Sequence, residues 1–383
     1  MSTLPDGRYV DDRPYERDLG EEARNADLDV SNTRLVWRRF REHKLGLVSA
    51  LFLLFSYLML PFAGFISPYT ANERAPDHLY GAPQGIHLFH EGSLIGPYVY
   101  PITAEVNLET FSWEYIRDYD NPAKLEFFCE ASYYKLAGFI KTNRHLFCAP
   151  EGATVFLLGA DRLGRDVFSR ILYGAQLSLT VGLVGITVSF FIGIILGSIA
   201  GYFGGFLDWI INRVIEILRS LPELPLWLAL SAAVPSHWSP VAVFFIISII
   251  LGILDWPGLA RAVRSKFLSL REEEFVRAAE MMGAKPSRVI GKHLLPNFLS
   301  HLIASATLSI PAMILGETAL SFLGLGLRAP AVSWGVMLND AQNLASIEIY
   351  PWTAIPMLPI VIIVLAFNFF GDGLRDALDP NRS

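Results

Sequence analysis

The sequence lacks the motifs with which a protein of this length would carry out chemistry of its own. It contains no G-x-x-x-x-G-K-[ST] phosphate-binding loop, so we expect that the chain does not cradle ATP. Its 8 histidines are scattered, without the spacing of zinc ligands, and it has no G-x-S-x-G nucleophile motif. We therefore predict no catalytic residue, no metal site and no enzyme activity in this chain.

The chain also has no net positive charge and few cysteines. The formal net charge is -6 and no basic tract with interleaved aromatic residues occurs, which argues against a nucleic-acid partner. The first 44 residues are polar, so the sequence predicts an N-terminal anchor rather than a cleavable signal peptide. The chain has 2 cysteines, Cys129 and Cys148.

Long apolar runs are what the sequence does contain. The mean hydropathy of +0.38 is too high for a soluble protein of 383 residues. About 20 apolar residues suffice to cross a bilayer as a helix, and this length predicts an all-α membrane protein with six transmembrane helices. The predicted spans are residues 45–67, about 175–201, a third that begins near Phe206, a fourth that begins at about Val241, about 298–324 and about 353–370.

Basic residues give the predicted orientation of these spans. Five of them lie between Arg34 and Lys44, just before the first span, and 8 lie between Arg261 and Lys292. Residues 325–352, between the last two spans, hold only Arg328. Because basic residues collect on the cytoplasmic side, both termini are predicted to be cytoplasmic.

This orientation divides the chain into predicted segments. Residues 68–170, the long polar stretch between the first two spans, become a folded periplasmic insertion with an interfacial elbow. The other predicted segments are a cytoplasmic N-terminal segment (1–44), the first span (45–67), a permease transmembrane domain (171–372) with a cytoplasmic coupling loop (261–297), and a cytoplasmic C-terminal tail (373–383).

Charged residues inside the predicted spans are candidates for a translocation pathway, because such residues face the bundle interior or water. They are Arg213, Glu216, Arg219, Glu223 and Glu317. The first four recur every three or four residues and share a helix face, which favours a charge ladder that pairs with itself over a role in lining the pathway. For Glu317 the alternative is a neutral acid hydrogen-bonded to a neighbouring helix. Small residues from Ser189 to Gly201 form a stripe that indicates close helix packing.

The segment EEEFVRAAEMMGAKPSRVIGKHLLPN, residues 272–297, predicts two short helices that meet at a corner. Gly283 ends the first helix, where a left-handed residue costs least, and Pro286 suits the first turn of the second. Pro296 is predicted to stop that second helix. The first helix carries an apolar stripe of Phe275, Ala278, Ala279 and Met282. The stripe suits a groove on a partner, or packing against helices of this chain.

This segment resembles the coupling motif of ATP-binding-cassette (ABC) importer permeases. Ala278, Ala279, Gly283, Leu295 and Pro296 match its Ala-Ala, Gly and Leu-Pro pattern. Arg277 stands where most of these permeases have Glu, which resembles the oligopeptide, dipeptide and nickel branch, and in particular the C-type permease of each pair. The resemblance continues through LGADRLGRDVFSRILYGAQLSL (158–179), ETALSFLGLG with SWGVML (317–326, 333–338) and GDGLRDALDP (371–380).

The resemblance implies a type I importer permease in the inner membrane, with the motif docked on an ATPase. It also implies the partners: a homologous second permease, two ABC ATPases that bind ATP and Mg²⁺, a periplasmic solute-binding protein, and membrane lipid. The implied solutes are peptides, or alternatively oligosaccharides, opines or nickel. A secondary transporter or a membrane scaffold are the alternatives outside this class.

Two further predictions concern the insertion. Asp161 is expected to cap an interfacial helix in the elbow, which either frames an entrance or is a plain re-entry helix. Cys129 and Cys148 are expected to form a disulfide, since paired cysteines outside the cytoplasm tend to be bridged; two buried free thiols are the alternative.

Overall fold

A computed structural model describes residues 32–107, 112–235 and 237–378 of the chain. The predicted N-terminal segment therefore lies outside the described residues up to residue 31, and the predicted tail lies outside them from residue 379. In the described parts, 5 helices are long and apolar enough to cross a membrane. They form an all-helical body, as predicted, onto which a β-rich insertion is built.

The helices follow the apolar runs but extend beyond them. Their bounds are α1 Asn32–Glu42, α2 Lys44–Met59, α3 Ala63–Ile66, α4 Val167–Phe203, α5 Gly205–Ser220, α6 Glu223–Ala232, α7 Pro240–Leu270, α8 Glu274–Met281, α9 Pro286–Arg288, α10 Leu295–Phe322, α11 Trp334–Asp340, α12 Leu344–Ile349 and α13 Met357–Leu378. A 3₁₀ turn, Leu60–Phe62, joins α2 to α3, so that Lys44–Ile66 is a single candidate span.

The third predicted span differs from the others. The chain there forms two helices, α5 and α6, which are broken at Leu221 and Pro222. Leu221 is extended at ψ 137°, as the residue before a proline prefers. α6 is apolar but has only 10 residues, fewer than a bilayer crossing needs. The six-span count consequently rests on α5 and α6 acting together.

Two predicted boundaries on either side of the coupling segment are wrong. α7 does not end before the predicted coupling loop of residues 261–297 but continues through Pro257 into that loop, to Leu270. Pro296 does not stop a helix, because it lies in the first turn of α10, where a missing N–H costs nothing. The chain reaches α10 from α9 through a π-helical turn, Val289–Leu294, in which the Leu295 N–H bonds to the Ile290 carbonyl.

The helical core is built by close approach along glycines. Each of Gly193, Gly197 and Gly201 on α4 faces α7, and a Cβ on Gly197 would lie 2.6 Å from the Ala260 carbonyl oxygen. The stripe of small residues thus serves helix packing, as predicted. On the other side, α4 packs on α10 and α13, and the cluster includes Leu179, Ile314 and Phe367.

The insertion contains nine short strands among its described residues, which the sequence analysis did not predict. They are β1 His87–His90, β2 Ser93–Val99, β3 Ile102–Asn107, β4 Ser112–Arg117, β5 Ala123–Lys124, β6 Glu126–Phe127, β7 Glu130–Leu136, β8 Ile140–Arg144 and β9 Phe147–Cys148. They pair antiparallel in small sheets: β1-β2-β5, β3-β4, β6-β9 and β7-β8.

Cys129 and Cys148 lie at one end of this set of strands. Their Cα atoms are 6.2 Å apart and the structure joins them by a disulfide. Cys148 is in β9, which pairs with β6 immediately before Cys129. The bond therefore fastens β9, which leads towards α4, to the middle of the insertion.

Candidate functional site: the coupling corner and the buried charges

The corner at Gly283 is formed by a complete helix-ending motif. The Ala284 N–H bonds to the Ala279 carbonyl at 3.1 Å, and the Gly283 N–H bonds to the Glu280 carbonyl at 2.9 Å. This pair of bonds defines a Schellman motif, whose turning residue must be left-handed. Gly283 has φ +82°, as predicted. The turn ends α8 and sends the chain into α9.

The apolar stripe of α8 is divided between two surroundings. Val276 and Ala279 are buried, and Val276 belongs to a cluster that includes Val289, Leu294 and Phe298 of the following segment. Phe275 and Ala278 are exposed, and Met281 and Met282 are 84% and 82% exposed. At Ala279 the stripe therefore follows the predicted alternative of packing against this chain, whereas its other residues remain uncovered in the described structure.

Polar contacts hold α8 to its surroundings. The Tyr202 hydroxyl at the end of α4 donates to Glu280 at 2.7 Å. Arg277, on the exposed side, donates to Glu272 at 2.7 Å, and this bond lowers the pKa of the Glu272 carboxyl. Leu295 packs partly buried in the same apolar cluster as Val276, whereas Pro296 is exposed. The corner is thus fixed to α4 and α10 while its outer surface stays uncovered.

The predicted charge ladder separates into two parts. Arg213 and Glu216 pair with each other at 3.0 Å on the exposed surface of α5. Arg219 and Glu223, with the α5–α6 break between them, instead line a cavity that Asp255 of α7 also lines. Both alternatives therefore have support, each for one pair.

Asp255 was not among the predicted pathway residues, although it is a lone carboxylate inside an apolar run. Its Oδ2 accepts a hydrogen bond from Ser189 of α4 at 3.2 Å. With Arg219 it also lines a neighbouring cavity of about 350 Å³ that reaches Ser305 and Ser309 of α10. Intramembrane charges that face a cavity are typical of a solute pathway.

Glu317 is fully buried and lines neither of the two cavities that Asp255 lines. Its carboxylate accepts from the hydroxyls of Ser321 at 2.7 Å, Ser333 at 2.8 Å and Ser178 at 3.5 Å. The contacts do not support the predicted place on the pathway wall. They agree with the predicted alternative of hydrogen bonds to a neighbouring helix, since Ser178 belongs to α4 and Ser333 to the start of α11, whereas Ser321 is one turn further along α10 itself.

Each of these serines also accepts a backbone N–H. The donors are Leu327 to Ser321 at 2.9 Å, Trp334 to Ser178 at 3.1 Å and Val336 to Ser333 at 3.3 Å. A hydroxyl has one proton, so each serine that receives an N–H directs its own proton to Glu317. The carboxylate thereby orders the segment from Leu327 to Val336 through three hydroxyls.

A buried ion-pair cluster joins the start of α4 to α11. Arg165 contacts Asp161 and Asp340 at 2.7 Å each, and Arg162 contacts Asp340 at 2.9 Å. Arg170 pairs with both aspartates. Burial alone would raise the pKa of Asp340, but the three arginines hold it below its ordinary value.

The cluster corrects one detail of the predicted elbow. The helix cap is Asp166, whose carboxylate accepts from the Ser169 N–H at 2.8 Å. Asp161 instead closes the preceding loop by accepting from the Leu163 and Arg165 N–H groups. The partner of this loop, Asp340, is 175 residues from Arg165 along the chain, so no local pattern could have indicated it.

Together these features describe a helical membrane protein with an uncovered corner after α8 and with charged cavities. Residues 193–383 match the family of binding-protein-dependent transport system inner membrane components. Residues 31–83 match the N-terminal transmembrane domain of oligopeptide transport permease C.

Individual relatives give the same result. The chain is 45% identical over 224 residues to the dipeptide transport system permease protein DppC of Alkalihalophilus pseudofirmus, covering 58% of this chain and 71% of the relative. It is 41% identical over 233 residues to the oligopeptide transport system permease protein OppC of Haemophilus influenzae, covering 61% and 72%. An inward-facing MetNI methionine ABC transporter structure aligns with TM-score 0.43 and 21% identity, over 55% of this chain and 96% of that one.

The chain belongs to the C-type permease family of dipeptide and oligopeptide transport systems. It is a transmembrane permease subunit of an ABC importer and spans the inner membrane several times. It is a transport subunit, not itself an enzyme. ATP and Mg²⁺ belong to the ATPase subunits of such importers, which also include permease and binding-protein partners.

Proposed function

We propose that this chain moves peptides across the inner membrane and that its Gly283 corner docks on an ABC ATPase. The observation that carries the proposal is the uncovered tip of α8. Phe275, Ala278, Met281 and Met282 project from a helix whose other side is locked against this chain. Flexible methionines suit an apolar docking contact, and an amphipathic helix placed in a groove is a common mode of recognition.

The contacts of the corner would pass a movement of the ATPase on to the transmembrane helices α4 and α10. Val276 fastens α8 to the base of α10, and Glu280 fastens it to Tyr202 of α4. When ATP binding draws the two ATPases together, a corner seated on one of them is displaced, and α4 and α10 are displaced with it. Arg277, Gly283, Leu295 and Pro296 shape and support this corner rather than contact the solute.

The proposed pathway runs past Arg219, Glu223 and Asp255. These residues lie where α5 breaks into α6 and where two cavities meet. Opposite charges that line a cavity suit a zwitterionic solute such as a peptide, whose termini carry one charge of each sign. Arg213 and Glu216 pair with each other and contribute to the surface instead.

The proposed topology has six spans, with α5 and α6 together forming the third, and with both termini in the cytoplasm. The 8 basic residues between Arg261 and Lys292, against Arg328 alone in residues 325–352, support this orientation. The segment with the corner is then cytoplasmic, where the ATPases are. The insertion becomes periplasmic, beneath the solute-binding protein.

The proposed assembly contains this chain, a homologous second permease, two ATPases and a binding protein. The test is to reconstitute it in proteoliposomes and measure accumulation of labelled dipeptides and longer peptides, in parallel with nickel, an opine and an oligosaccharide. ATP-dependent accumulation of peptides supports the proposal. ATP-dependent uptake of another solute alone would correct the solute class, and uptake driven by an ion gradient without ATP would indicate a secondary transporter.

A further inference from the structure

The β7–β8 hairpin of the insertion lies alongside the first candidate span rather than beyond its end. Three contacts follow one another along the chain of Lys44–Ile66 and the residue after it. His145 contacts the Ser67 carbonyl at 2.6 Å, the Leu146 N–H bonds to the Phe65 carbonyl at 2.7 Å, and the Ala137 N–H bonds to the Pro61 carbonyl at 3.2 Å. Tyr134 of β7 packs on Gly64, between the last two. The hairpin therefore runs back along the span, with its turn at the level of Pro61.

The depth of the turn follows from the length of the span. A helix of 23 residues is about 34 Å long at 1.5 Å per residue, against a hydrocarbon core of about 30 Å. If the span is centred, the core begins about 2 Å inside Ile66, and Pro61 lies roughly 6 Å deeper at 1.5 Å per residue. Interfacial segments bury apolar side chains about 5–10 Å into the bilayer surface.

The turn presents apolar side chains at this level. Phe139, at the tip, is 75% exposed, and its neighbour Ile140 is 50% exposed. On the adjacent span Leu58 is 57% exposed and Phe62 is 44% exposed. Because Ala137, in the same turn, bonds to Pro61, the exposed tip lies at the level of a helix surface that faces lipid wherever the helix spans the membrane.

Charge near the tip fits the same surroundings. Lys135 and Lys141 face each other across the hairpin, just above the turn, and the Lys141 ammonium lies 4.6 Å from the centre of the Tyr133 ring. Aromatic rings and lysines at the level of the headgroups are typical of membrane interfaces, and lysines there attract anionic lipids. The one acid of the hairpin strands, Glu130, lies at the opposite end from the turn.

We propose that the β7–β8 hairpin is a membrane anchor: Phe139 and Ile140 insert into the outer leaflet beside the first span, while Lys135 and Lys141 contact anionic headgroups. The insertion is then held to the bilayer surface at a second point. The proposal rests on the proposed topology, which places the insertion outside the cytoplasm. A solute-binding protein would approach the insertion from the side away from the bilayer, whereas this tip points towards it.

The test uses nitroxide labels on the full chain, assembled with its partners in vesicles of phosphatidylcholine and phosphatidylglycerol. Single cysteines replace Phe139, Leu58 or Leu94, and labelling proceeds without reductant so that the bonded Cys129 and Cys148 do not react. Leu58 is the lipid reference, and Leu94, 68% exposed in β2, is the water reference. Collisions with oxygen and with a polar nickel complex report the surroundings of each label.

We expect the Phe139→Cys label to collide readily with oxygen, as at position 58, and to collide several-fold less with nickel than the label at position 94. Replacing phosphatidylglycerol by phosphatidylcholine should raise its nickel collisions. Nickel access equal to that at position 94 would place the tip in water, and shielding from both reagents would place it under a protein partner; either result overturns the anchor.

The reference labels show whether a failure concerns the topology instead. A label at position 58 without lipid contact would mean that α2 does not span. A cysteine at position 94 that an impermeant thiol reagent reaches only from the cytoplasmic side would mean that the insertion is inside. Either outcome overturns the proposed topology and the anchor with it.

Discussion

At the scale of single residues, Gly283 is the position whose backbone conformation most restricts which amino acid can replace it. A Cβ there would meet no atom within 4 Å, but its φ is +82°. The left-handed conformation costs other residues about 1–2 kcal/mol. Any effect of substitution therefore comes from the backbone of the turn and not from a steric clash.

We expect Gly283→Ala and Gly283→Val to leave the chain inserted but to reduce ATP-dependent transport, with Val more harmful than Ala. Gly283→Asn should retain most of it, because Asn tolerates the left-handed region. Gly291→Ala is the matched control, since Gly291 also has open space but no positive φ. Uptake and ATPase rate measured in proteoliposomes check this. Equal transport by Gly283→Val and Gly291→Ala would contradict the coupling role.

A second prediction at this scale concerns the stability of variants at Glu317. Its carboxylate receives three serine hydroxyl protons, and a Gln amide would turn a donor towards one of them. We expect Glu317→Leu to lower the free energy of unfolding by about 1–3 kcal/mol for each hydrogen-bonding group left unpaired, and Glu317→Gln to cost less.

Thermal unfolding of the purified protein, with expression level and uptake, measures this loss. Glu216→Gln is the control, because Glu216 is an exposed acid paired only with Arg213 in the described structure. Normal expression, unfolding temperature and uptake in Glu317→Leu would show that the three serines do not depend on the carboxylate.

The raised pKa of the Asp166 carboxyl should make the stability of the fold depend on pH. Burial raises the pKa of this carboxyl to about 7 from 3.8, against the bonds from Ser169. The folded state therefore binds a proton that the unfolded state has released, so stability falls as pH rises from about 4 to about 7. Asn caps helices about as well as Asp, and Asp166→Asn should remove this loss.

Unfolding temperatures measured from about pH 5 to about pH 8 should therefore rise in Asp166→Asn relative to the natural protein, most at the upper end. Asp161→Asn is the contrasting variant. It removes a partner of Arg165 and Arg170 and should destabilise at every pH in that range. A natural protein with the same pH profile as Asp166→Asn would contradict the buried carboxyl.

At the scale of secondary-structure elements, α8 has an exposed face and a buried face, and positions 282 and 279 each report on one of them. Cysteine at Met282, on the exposed face, should cross-link to an introduced cysteine on the ATPase. Cysteine at Ala279, which is 3% exposed, should not. Cross-linked product on a non-reducing gel measures both, and a cysteine at Leu94 in the insertion is the control on the other side of the membrane. Cross-linking at 279 but not at 282 would reverse the assignment of the docking face.

The sequence indicated the candidate spans well, because crossing a bilayer depends on a local property, the apolar length. It indicated the corner equally well, since Gly283 and Pro286 act through their own backbones. α4 begins before its predicted start at about residue 175, and α7 extends into the predicted coupling loop, because a helix continues in polar sequence when its neighbours pack against it. β-Strands of the insertion and the Arg165–Asp340 contact depend on distant partners, which local patterns do not report.

At the scale of the whole molecule, the disulfide tests both the insertion and the topology. Cys129 and Cys148 are 19 residues apart, and closing a loop of that length stabilises a fold by about 3 kcal/mol in the chain-entropy model. We expect that thiol alkylation of protein never exposed to reductant adds no label, and that two labels are added after reduction. Equal labelling in both conditions would show free thiols, and labelling from the cytoplasmic side would overturn the topology.

The buried cluster of Asp161, Arg165, Arg170 and Asp340 restricts how such a molecule can move. Removing one partner of a buried ion pair costs about 3–5 kcal/mol, and here each arginine is shared by both aspartates. The start of α4 and α11 must therefore travel together through a transport cycle, as one rigid clasp. α5 is held to α7 by the ion pair of Asp208 with Arg264, whereas no ion pair to α6 occurs among the described residues, and the break between the two helices at Pro222 stands beside the charged cavities. The pathway would then open by bending at the α5–α6 break, while the start of α4 and α11, joined by the ion-pair cluster, stay fixed relative to each other.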